Sequence, residues 1–252
     1  MNQRLFALAA VLGLSALPTL SLAEDSPLSF NLGAVTDYRY RGISQTRLKP
    51  ALQGGIDYVL PAGFYVGAWA STIKWIKDNG VAGSVELDLY GGYKLEVMKD
   101  WTLDVGVLRY EYVGNKLRDT GGRGIYSNAN TTEIYGAITY GPVTAKYSHS
   151  VTDLFGNIDS KNSKYLELNA SFDLGDGWAV APHVGRQLVK KLSVASYTDY
   201  SIGVTKDISG FVVGLSLVGT NADDKFYVPG AAANSSKFLG KDGFVLSVKK
   251  TF

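Results

Sequence analysis

The sequence has 252 residues, no cysteine, and a nearly balanced charge, with 25 lysines and arginines against 23 aspartates and glutamates. The lack of cysteine excludes a disulfide framework and a thiolate metal site, and the near-neutral charge gives no reason to expect nucleic-acid binding. Glycine (29 residues) and tyrosine (16 residues) are abundant. Because glycine disfavours helices and is tolerated in curved strands, this composition favours an all-β protein.

The first segment, residues 1–23, has the features of a secretory signal peptide. Arg4 precedes an apolar run over residues 5–20, and Ser21-Leu22-Ala23 stands before an acidic pair. This order is typical of an export signal, and it predicts cleavage after Ala23. We therefore predict one exported domain over residues 24–252. Beyond Ala23 no apolar run approaches the ~20 residues of a membrane-spanning helix.

The remaining sequence alternates between apolar and polar side chains with a period of two, which indicates β-strands. In residues 84–95, for example, Val85, Leu87 and Leu89 alternate with Glu86 and Asp88. Turn residues divide the pattern into twelve segments. The predicted strands are residues 28–40, 51–60, 64–74, 84–95, 101–113, 132–140, 143–151, 164–174, 178–188, 198–207, 211–220 and 242–252.

Two of these strands contain features that predict local irregularities. In residues 101–113 the apolar parity changes from Leu103 to Tyr110 and Tyr112, which a bulge near Leu108 would explain. In residues 178–188, Pro182 has no amide proton for the sheet, and it predicts a second bulge.

The connections between the predicted strands alternate in length. Those after the even-numbered strands are short, whereas those after the odd-numbered strands are generally longer and polar, including residues 41–50, 118–130, 153–163 and 221–241. Membrane barrels combine short turns at one end with long loops at the other. The sequence therefore predicts a transmembrane antiparallel up-and-down β-barrel of about twelve strands, with ten or fourteen as alternatives, in the outer membrane of a Gram-negative bacterium.

Aromatic residues near the strand ends support the same interpretation, because such residues form girdles at the two membrane interfaces. The predicted girdle residues are Tyr38, Tyr40, Tyr58, Trp101, Tyr110, Tyr112, Tyr140 and Trp178.

The final predicted strand ends at an aromatic residue, Phe252. This ending resembles the signal by which the barrel-assembly machinery recognises bacterial outer-membrane barrels. Lys250 departs from that pattern, although its long stem could reach water at the membrane edge. The other expected partners are outer-membrane lipid, small polar solutes and lipopolysaccharide, whose phosphates Lys190 and Lys191 could contact.

Charged side chains on the polar parity are expected to face inward, because a charge facing lipid at mid-bilayer costs several kcal/mol. They predict a water-filled pore whose selectivity they set. The alternative is an ion-pair network that plugs a narrow barrel. Both signs of charge are present, so no strong ion preference is predicted. The predicted pore-lining residues are Asp37, Arg39, Arg41, Asp57, Glu86, Asp88, Lys94, Asp104, Glu133, Lys146, Glu167 and Lys249.

Three segments near the start of the mature sequence form one motif. They are residues 31–46, which include Asp37-Tyr38-Arg39-Tyr40-Arg41-Gly42, residues 50–58 and residues 63–71. These segments resemble the opening motif of the TorF family, a bacterial family classed with the porins whose function is not settled. The resemblance is specific over the first seventy residues. It implies an outer-membrane location and a channel role, and it supplies no catalytic residues. Asp37, Arg39 and Arg41 match the motif and are the leading site candidates.

An enzyme is the alternative that the two histidines raise, since barrel hydrolases combine serine and histidine. His149 stands between Ser148 and Ser150, but adjacent residues on a strand point to opposite faces. A partner would have to come from elsewhere, for example His183. Two separated histidines also give weak evidence for a metal. We therefore predict a non-enzymatic, narrow channel for passive diffusion of small polar solutes, without a cofactor. A barrel hydrolase or a closed structural or adhesion barrel remains the alternative.

Overall fold

The computed structural model of the protein describes residues 26–120 and 126–252. The predicted signal segment and part of the predicted loop 118–130, residues 121–125, lie outside the described residues. Within the described chain there is no α-helix, and the helical segments are short 3₁₀ turns at Pro61–Gly63, Lys77–Asn79, Leu117–Asp119, Ser193–Ala195 and Ala231–Ala233. No helix in these residues is long and apolar enough to cross a membrane.

The fold is one closed antiparallel sheet of twelve strands. They are β1 Leu28–Val35, β2 Ala51–Val59, β3 Phe64–Thr72, β4 Val85–Met98, β5 Trp101–Tyr112, β6 Thr131–Tyr140, β7 Val143–Ser150, β8 Lys164–Ala170 continued by Phe172–Gly175, β9 Trp178–Leu188, β10 Tyr197–Ile208, β11 Phe211–Thr220 and β12 Gly243–Thr251. Each strand pairs with the next, and β1 pairs with β12 to close the barrel. The prediction of a twelve-stranded barrel is confirmed.

The two ends of the barrel differ as the connection lengths predicted. Short turns and the two described chain ends lie at one end, which we call the turn side. The longer connections lie at the other end, the loop side, and their described residues are 36–50, 73–84, 113–120, 126–130, 151–163, 189–196 and 221–242.

The two faces of the sheet differ because side chains alternate along each strand. Exposed apolar side chains such as Leu32, Leu52 and Leu89 cover the outer face. On the turn side this face also carries Tyr140, which lies against Trp101 with ring centroids 4.6 Å apart. The inner face carries buried polar and charged side chains. Such an inverted distribution is typical of barrels that are surrounded by lipid.

Both predicted bulges are wrong. The pairing of β5 with β4 runs without interruption from Glu86–Tyr112 to Glu96–Thr102, so Leu108, Tyr110 and Tyr112 all face inward. The parity did not change, because aromatic residues occupy the inner face there. Pro182 likewise keeps its register opposite Ile202 of β10. Pro182 has no amide proton to donate, and the neighbouring strand β8 is interrupted beside it, at Ser171.

The first predicted strand, residues 28–40, is too long. β1 ends at Val35, and the chain then folds into the barrel interior, where most side chains of residues 37–46 are buried. Half of the predicted girdle is therefore wrong as well. Tyr38, Tyr40, Tyr110 and Tyr112 are buried inside the barrel, whereas Tyr58, Trp101, Tyr140 and Trp178 lie on the outer face.

Candidate functional site in the barrel lumen

The segment 36–50, which we call the inward hairpin, is the central feature of the lumen. Its two short strands, Arg39–Tyr40 and Ile43–Ser44, pair across a turn in which Arg41 (φ 46°) and Gly42 (φ 78°) are both left-handed. Two such residues define the tight turn that matches strand twist in hairpins. A Cβ on Gly42 would lie 2.9 Å from the Cβ of Asp199 and even closer to Thr220. Glycine therefore lets the tip lie against the barrel wall.

The base of the hairpin is held by Asp37 and Arg39. The Asp37 carboxylate accepts hydrogen bonds from Arg39 Nε, Ser44 Oγ and Thr46 Oγ1. Arg39 Nη1 donates to the carbonyl of Gly42 at 2.8 Å, and it also reaches the carbonyls of Leu239 (3.2 Å) and Lys241 (3.1 Å). This ion pair therefore ties the hairpin to itself and to the loop between β11 and β12.

The tip of the hairpin places Arg41 in a site built from three different strands. Arg41 donates from Nη1 to Glu133 Oε1 (3.1 Å) and from Nη2 to Glu133 Oε2 (2.7 Å), a two-pronged contact with β6. Nη1 also donates to Gln187 Oε1 of β9 at 2.6 Å. The guanidinium carbon lies 4.0 Å from the ring centre of Tyr165 of β8 and 4.8 Å from that of Tyr40. We call Glu133, Gln187, Tyr165 and Tyr40 the arginine site.

The electrostatics of this site keep Arg41 charged. Burial by itself would lower the pKa of Arg41, but the Glu133 carboxylate raises it, and the net result is a pKa well above the usual value. The contact is therefore a buried, charge-assisted ion pair rather than a surface contact.

Next to the arginine site lie two more carboxylates, Glu86 and Asp88 of β4. Tyr38 of the hairpin donates to Glu86 Oε1 at 2.6 Å. Burial, followed by the charges of Glu86 and Asp88, raises the pKa of Tyr38, so its hydroxyl remains a donor. Asp88 Oδ1 is buried without a hydrogen-bond partner among the described residues.

Beyond the arginine site, a polar network surrounds His183 of β9. Its Nε2 lies 2.8 Å from Asp199 Oδ1, and its Nδ1 lies 2.6 Å from Asn169 Oδ1. The Asn169 amide nitrogen donates to Glu167 at 2.9 Å, so its oxygen faces the histidine. Both ring nitrogens of His183 are therefore in contact with polar partners on neighbouring strands. Tyr165 also donates to Asp199.

The turn-side part of the lumen is lined by tyrosine and carboxylate pairs. Tyr65 donates to Asp104 at 2.6 Å and contacts Tyr135, while Tyr90 donates to Asp57 at 2.6 Å. These rings lie over inward positions occupied by glycine on neighbouring strands, at Gly67, Gly92 and Gly106. The sequence analysis missed these tyrosines as inward residues, although inward parity opposite glycine was a usable signal.

All twelve predicted pore-lining residues lie on the inner side of the barrel. Nine are on strands, and Asp37, Arg39 and Arg41 are on the hairpin. Asp37 pairs with Arg39, while Asp57 accepts a hydrogen bond from Tyr90. Lys94 lies 3.9 Å from Asp104, and Lys146 lies 4.3 Å from the ring centre of Tyr135. Their part in conduction stays a prediction.

The loop side of the hairpin is covered by aromatic and aliphatic residues of the long loops. Phe155 lies edge-on to Tyr40 and Tyr110, at 5.3 Å in each case. Trp75 packs in the same way on Tyr112 at 5.0 Å. A second cluster joins Ile43 of the hairpin to Leu239. The lumen is therefore obstructed at this level by the hairpin and the loops that pack on it.

The two histidines do not form a serine-dependent site in the described part of the chain. His149 contacts the Tyr147 hydroxyl and Asn162 Oδ1, each at 3.1 Å, while the neighbouring serines are buried on the inner face. His183 contacts Asp199, Asn169 and Tyr165. Within residues 26–120 and 126–252, no group of three or more histidine, cysteine or acidic residues is arranged to hold a metal ion.

A closed twelve-stranded barrel with an apolar exterior and a charged, narrow interior belongs to the porin-like class of folds. Among solved structures, the chain resembles the KdgM porin with a TM-score of 0.55 at 6% identity, covering 89% of this chain and 99% of that chain. A structure of the KdgM porin in complex with disordered oligogalacturonate gives a TM-score of 0.54 at 7% identity, with the same coverage. At these identities the likeness shows the fold alone.

The protein belongs to the Gcw_chp family, described as a bacterial protein of unknown function, whose model matches residues 23–252. No curated protein matches the chain. LpxR from Salmonella typhimurium, at a TM-score of 0.44 and 11% identity, covers 89% of this chain and 99% of that chain, a similarity too low to support an inference about activity.

Proposed function

We propose that this protein is an outer-membrane channel of a Gram-negative bacterium for the passive diffusion of small polar solutes, and that the inward hairpin restricts its conduction. The observation that carries the proposal is the combination of a charged inner wall with an obstruction held only by non-covalent contacts. A barrel closed for purely structural reasons has no need of buried carboxylates along its inner wall, because burial of such groups costs free energy. The resemblance of residues 31–71 to the TorF family supports the same role.

The inner wall also bears on the class of solute. Seven buried carboxylates face inward from the strands, against the three inward lysines Lys94, Lys146 and Lys249; the carboxylates are Asp57, Glu86, Asp88, Asp104, Glu133, Glu167 and Asp199. Oligogalacturonate, the ligand of the KdgM complex, is a chain of carboxylates and would meet charge of the same sign in this lumen. Cations and neutral solutes are favoured over anions.

The proposal implies contacts outside the lumen as well. Outer-membrane lipid would cover the apolar face, and lipopolysaccharide phosphates would lie near Lys190 and Lys191. The barrel-assembly machinery would recognise the strand ending at Phe252. In support of the last contact, Phe252 pairs through its backbone with Phe30 at 3.0 and 2.8 Å, where the barrel closes.

Single-channel recording in planar bilayers under a salt gradient tests the channel. We compare the wild-type protein with Arg39→Ala, which removes the bonds from the hairpin to the carbonyls of Leu239 and Lys241. We expect rare or small steps for the wild type, larger and more frequent steps for Arg39→Ala, and a reversal potential that indicates cation preference.

The matched control is Arg109→Ala. Arg109 pairs with Glu111 on the outer face at the loop side, and both side chains are partly exposed. This variant should conduct like the wild type. If Arg39→Ala is correctly folded, as judged by heat-modifiable migration, and remains silent, the channel proposal is wrong and a closed structural barrel is favoured.

A further inference from the structure

We propose that the arginine site is a binding site for solutes that carry a guanidinium group, and that Arg41 occupies it as an internal substitute for such a solute. This inference rests on the proposed channel function and deepens it by naming the chemical class of solute. In the structure the site is filled by the hairpin, so that binding of a solute requires displacement of Arg41.

The first support is the geometry of the contacts. The Glu133 carboxylate meets two terminal nitrogens of Arg41, and the Gln187 oxygen meets one of them again. A carboxylate fork of this kind matches a planar guanidinium group and fits a single ammonium group less well. Tyr165 and Tyr40 add aromatic faces, which attract cations.

The second support is the part of Arg41 that the site uses. Arg41 donates its hydrogen bonds from Nη1 and Nη2, whereas Nε is buried without a partner among the described residues. The site therefore recognises the end of the side chain, which a free guanidinium compound also offers. The rest of the Arg41 side chain positions the guanidinium group and makes no hydrogen bond that recognises it.

The third support is the charge around the site. Asp88 of β4 pairs in register with Tyr110, whose hydroxyl donates to Glu133 at 3.4 Å, and Asp88 Oδ1 is buried without a hydrogen-bond partner among the described residues. Arg41 thus neutralises only part of the acidic surroundings. A cationic solute that enters the lumen meets a potential that favours it before it reaches Glu133.

The first test is chemical rescue of Arg41→Ala in detergent micelles. We expect this variant to unfold at a lower temperature than the wild type, because Glu133 loses its partner. Methylguanidinium chloride should restore part of this loss, whereas potassium chloride at equal ionic strength should not. In the double variant Arg41→Ala, Glu133→Gln the concentration for half-maximal rescue should rise at least about tenfold, as expected when one member of a buried charged pair is lost.

The second test uses wild-type protein and so does not depend on the folding of the variant. Hydrogen–deuterium exchange of residues 36–50 should increase with methylguanidinium, because the compound competes with Arg41 for Glu133. Potassium chloride should leave the exchange unchanged. Equal responses to the two salts in both tests would overturn the binding site.

Bilayer recording separates this inference from the channel proposal. In Arg41→Ala channels, methylguanidinium should produce a block that depends on concentration and is weakened by Glu133→Gln. If methylguanidinium rescues Arg41→Ala in micelles but the protein never conducts in bilayers, the result would support the site and reject the channel. Conduction without any rescue or block would support the channel and reject the site.

Discussion

The loop-side and turn-side halves of the lumen are filled in different ways. On the loop side, a separate chain segment enters the barrel and packs with Tyr110, Tyr112 and the long loops, so the interior there has an apolar core around the buried ion pair of Arg41. On the turn side, the lumen is lined by side chains of the strands themselves, such as Tyr65 and Tyr90.

This difference separates the contacts that hold the barrel together from the contacts that obstruct its lumen. Strand pairing holds the twelve strands together around the full circumference. The obstruction depends on the inward hairpin, which is held by a small number of hydrogen bonds and ring contacts. Changes to loop-side residues that contact the hairpin should therefore alter conduction, whereas changes to the turn-side part of the lumen should alter stability alone.

The largest expected effect comes from Glu133→Gln on the loop side. It leaves Arg41 buried without a carboxylate, and it should lower the free energy of unfolding by roughly 3 kcal/mol, since the amide oxygen still accepts one hydrogen bond. Urea unfolding in lipid vesicles measures this. Glu111→Gln, on the outer face, should cost no more than about 1 kcal/mol. Similar losses in the two variants would contradict the importance of the buried pair.

Gly42→Ala should have the next largest effect. The left-handed conformation (φ 78°) costs an alanine about 1–2 kcal/mol, and the added Cβ would overlap Thr220. The hairpin tip should therefore leave the wall, and single-channel conductance should increase. Gly141→Ala is the matched control, because Gly141 also has a positive φ (52°) but has nothing within 4 Å of its Cβ position. Equal conductance in both variants would argue against docking of the tip.

On the turn side, Tyr65→Phe should lower stability by roughly 1–2 kcal/mol, because buried Asp104 loses a donor. We expect no change in single-channel conductance, since the hairpin is not touched. Tyr58→Phe serves as the control, because Tyr58 is exposed on the outer face. An increase in conductance for Tyr65→Phe would break the distinction between the two halves.

The smallest effect is expected for Lys250→Met at the outer edge of the turn side. Lys250 Nζ lies 4.5 Å from the ring centre of Phe211 and 5.3 Å from that of Phe252. Loss of these cation–π contacts should cost about 0.5–1 kcal/mol at an exposed position. The urea midpoint measures the change, and conductance should match the wild type.

The sequence by itself determined the twelve strands, the alternation of short and long connections and the inward direction of the nine charged residues on strands. Each follows from local chemistry, because a side-chain period of two assigns every residue of a strand to one face. The same reasoning failed where polar or aromatic content did not identify the face. The sequence pattern assigned Tyr110 and Tyr112 to the outward girdle, although they are packed inside the barrel.

Only the tertiary structure decided what the inner residues contact. The sequence pattern of residues 36–40 continues that of β1, and nothing local indicates that the chain turns into the lumen. Arg41 meets Glu133 and Gln187, which are 92 and 146 residues away along the chain. Such pairs depend on how the closed sheet brings distant strands to one level. The position of the hairpin depends on burying its aromatic residues, an outcome set by the whole barrel and by no single segment.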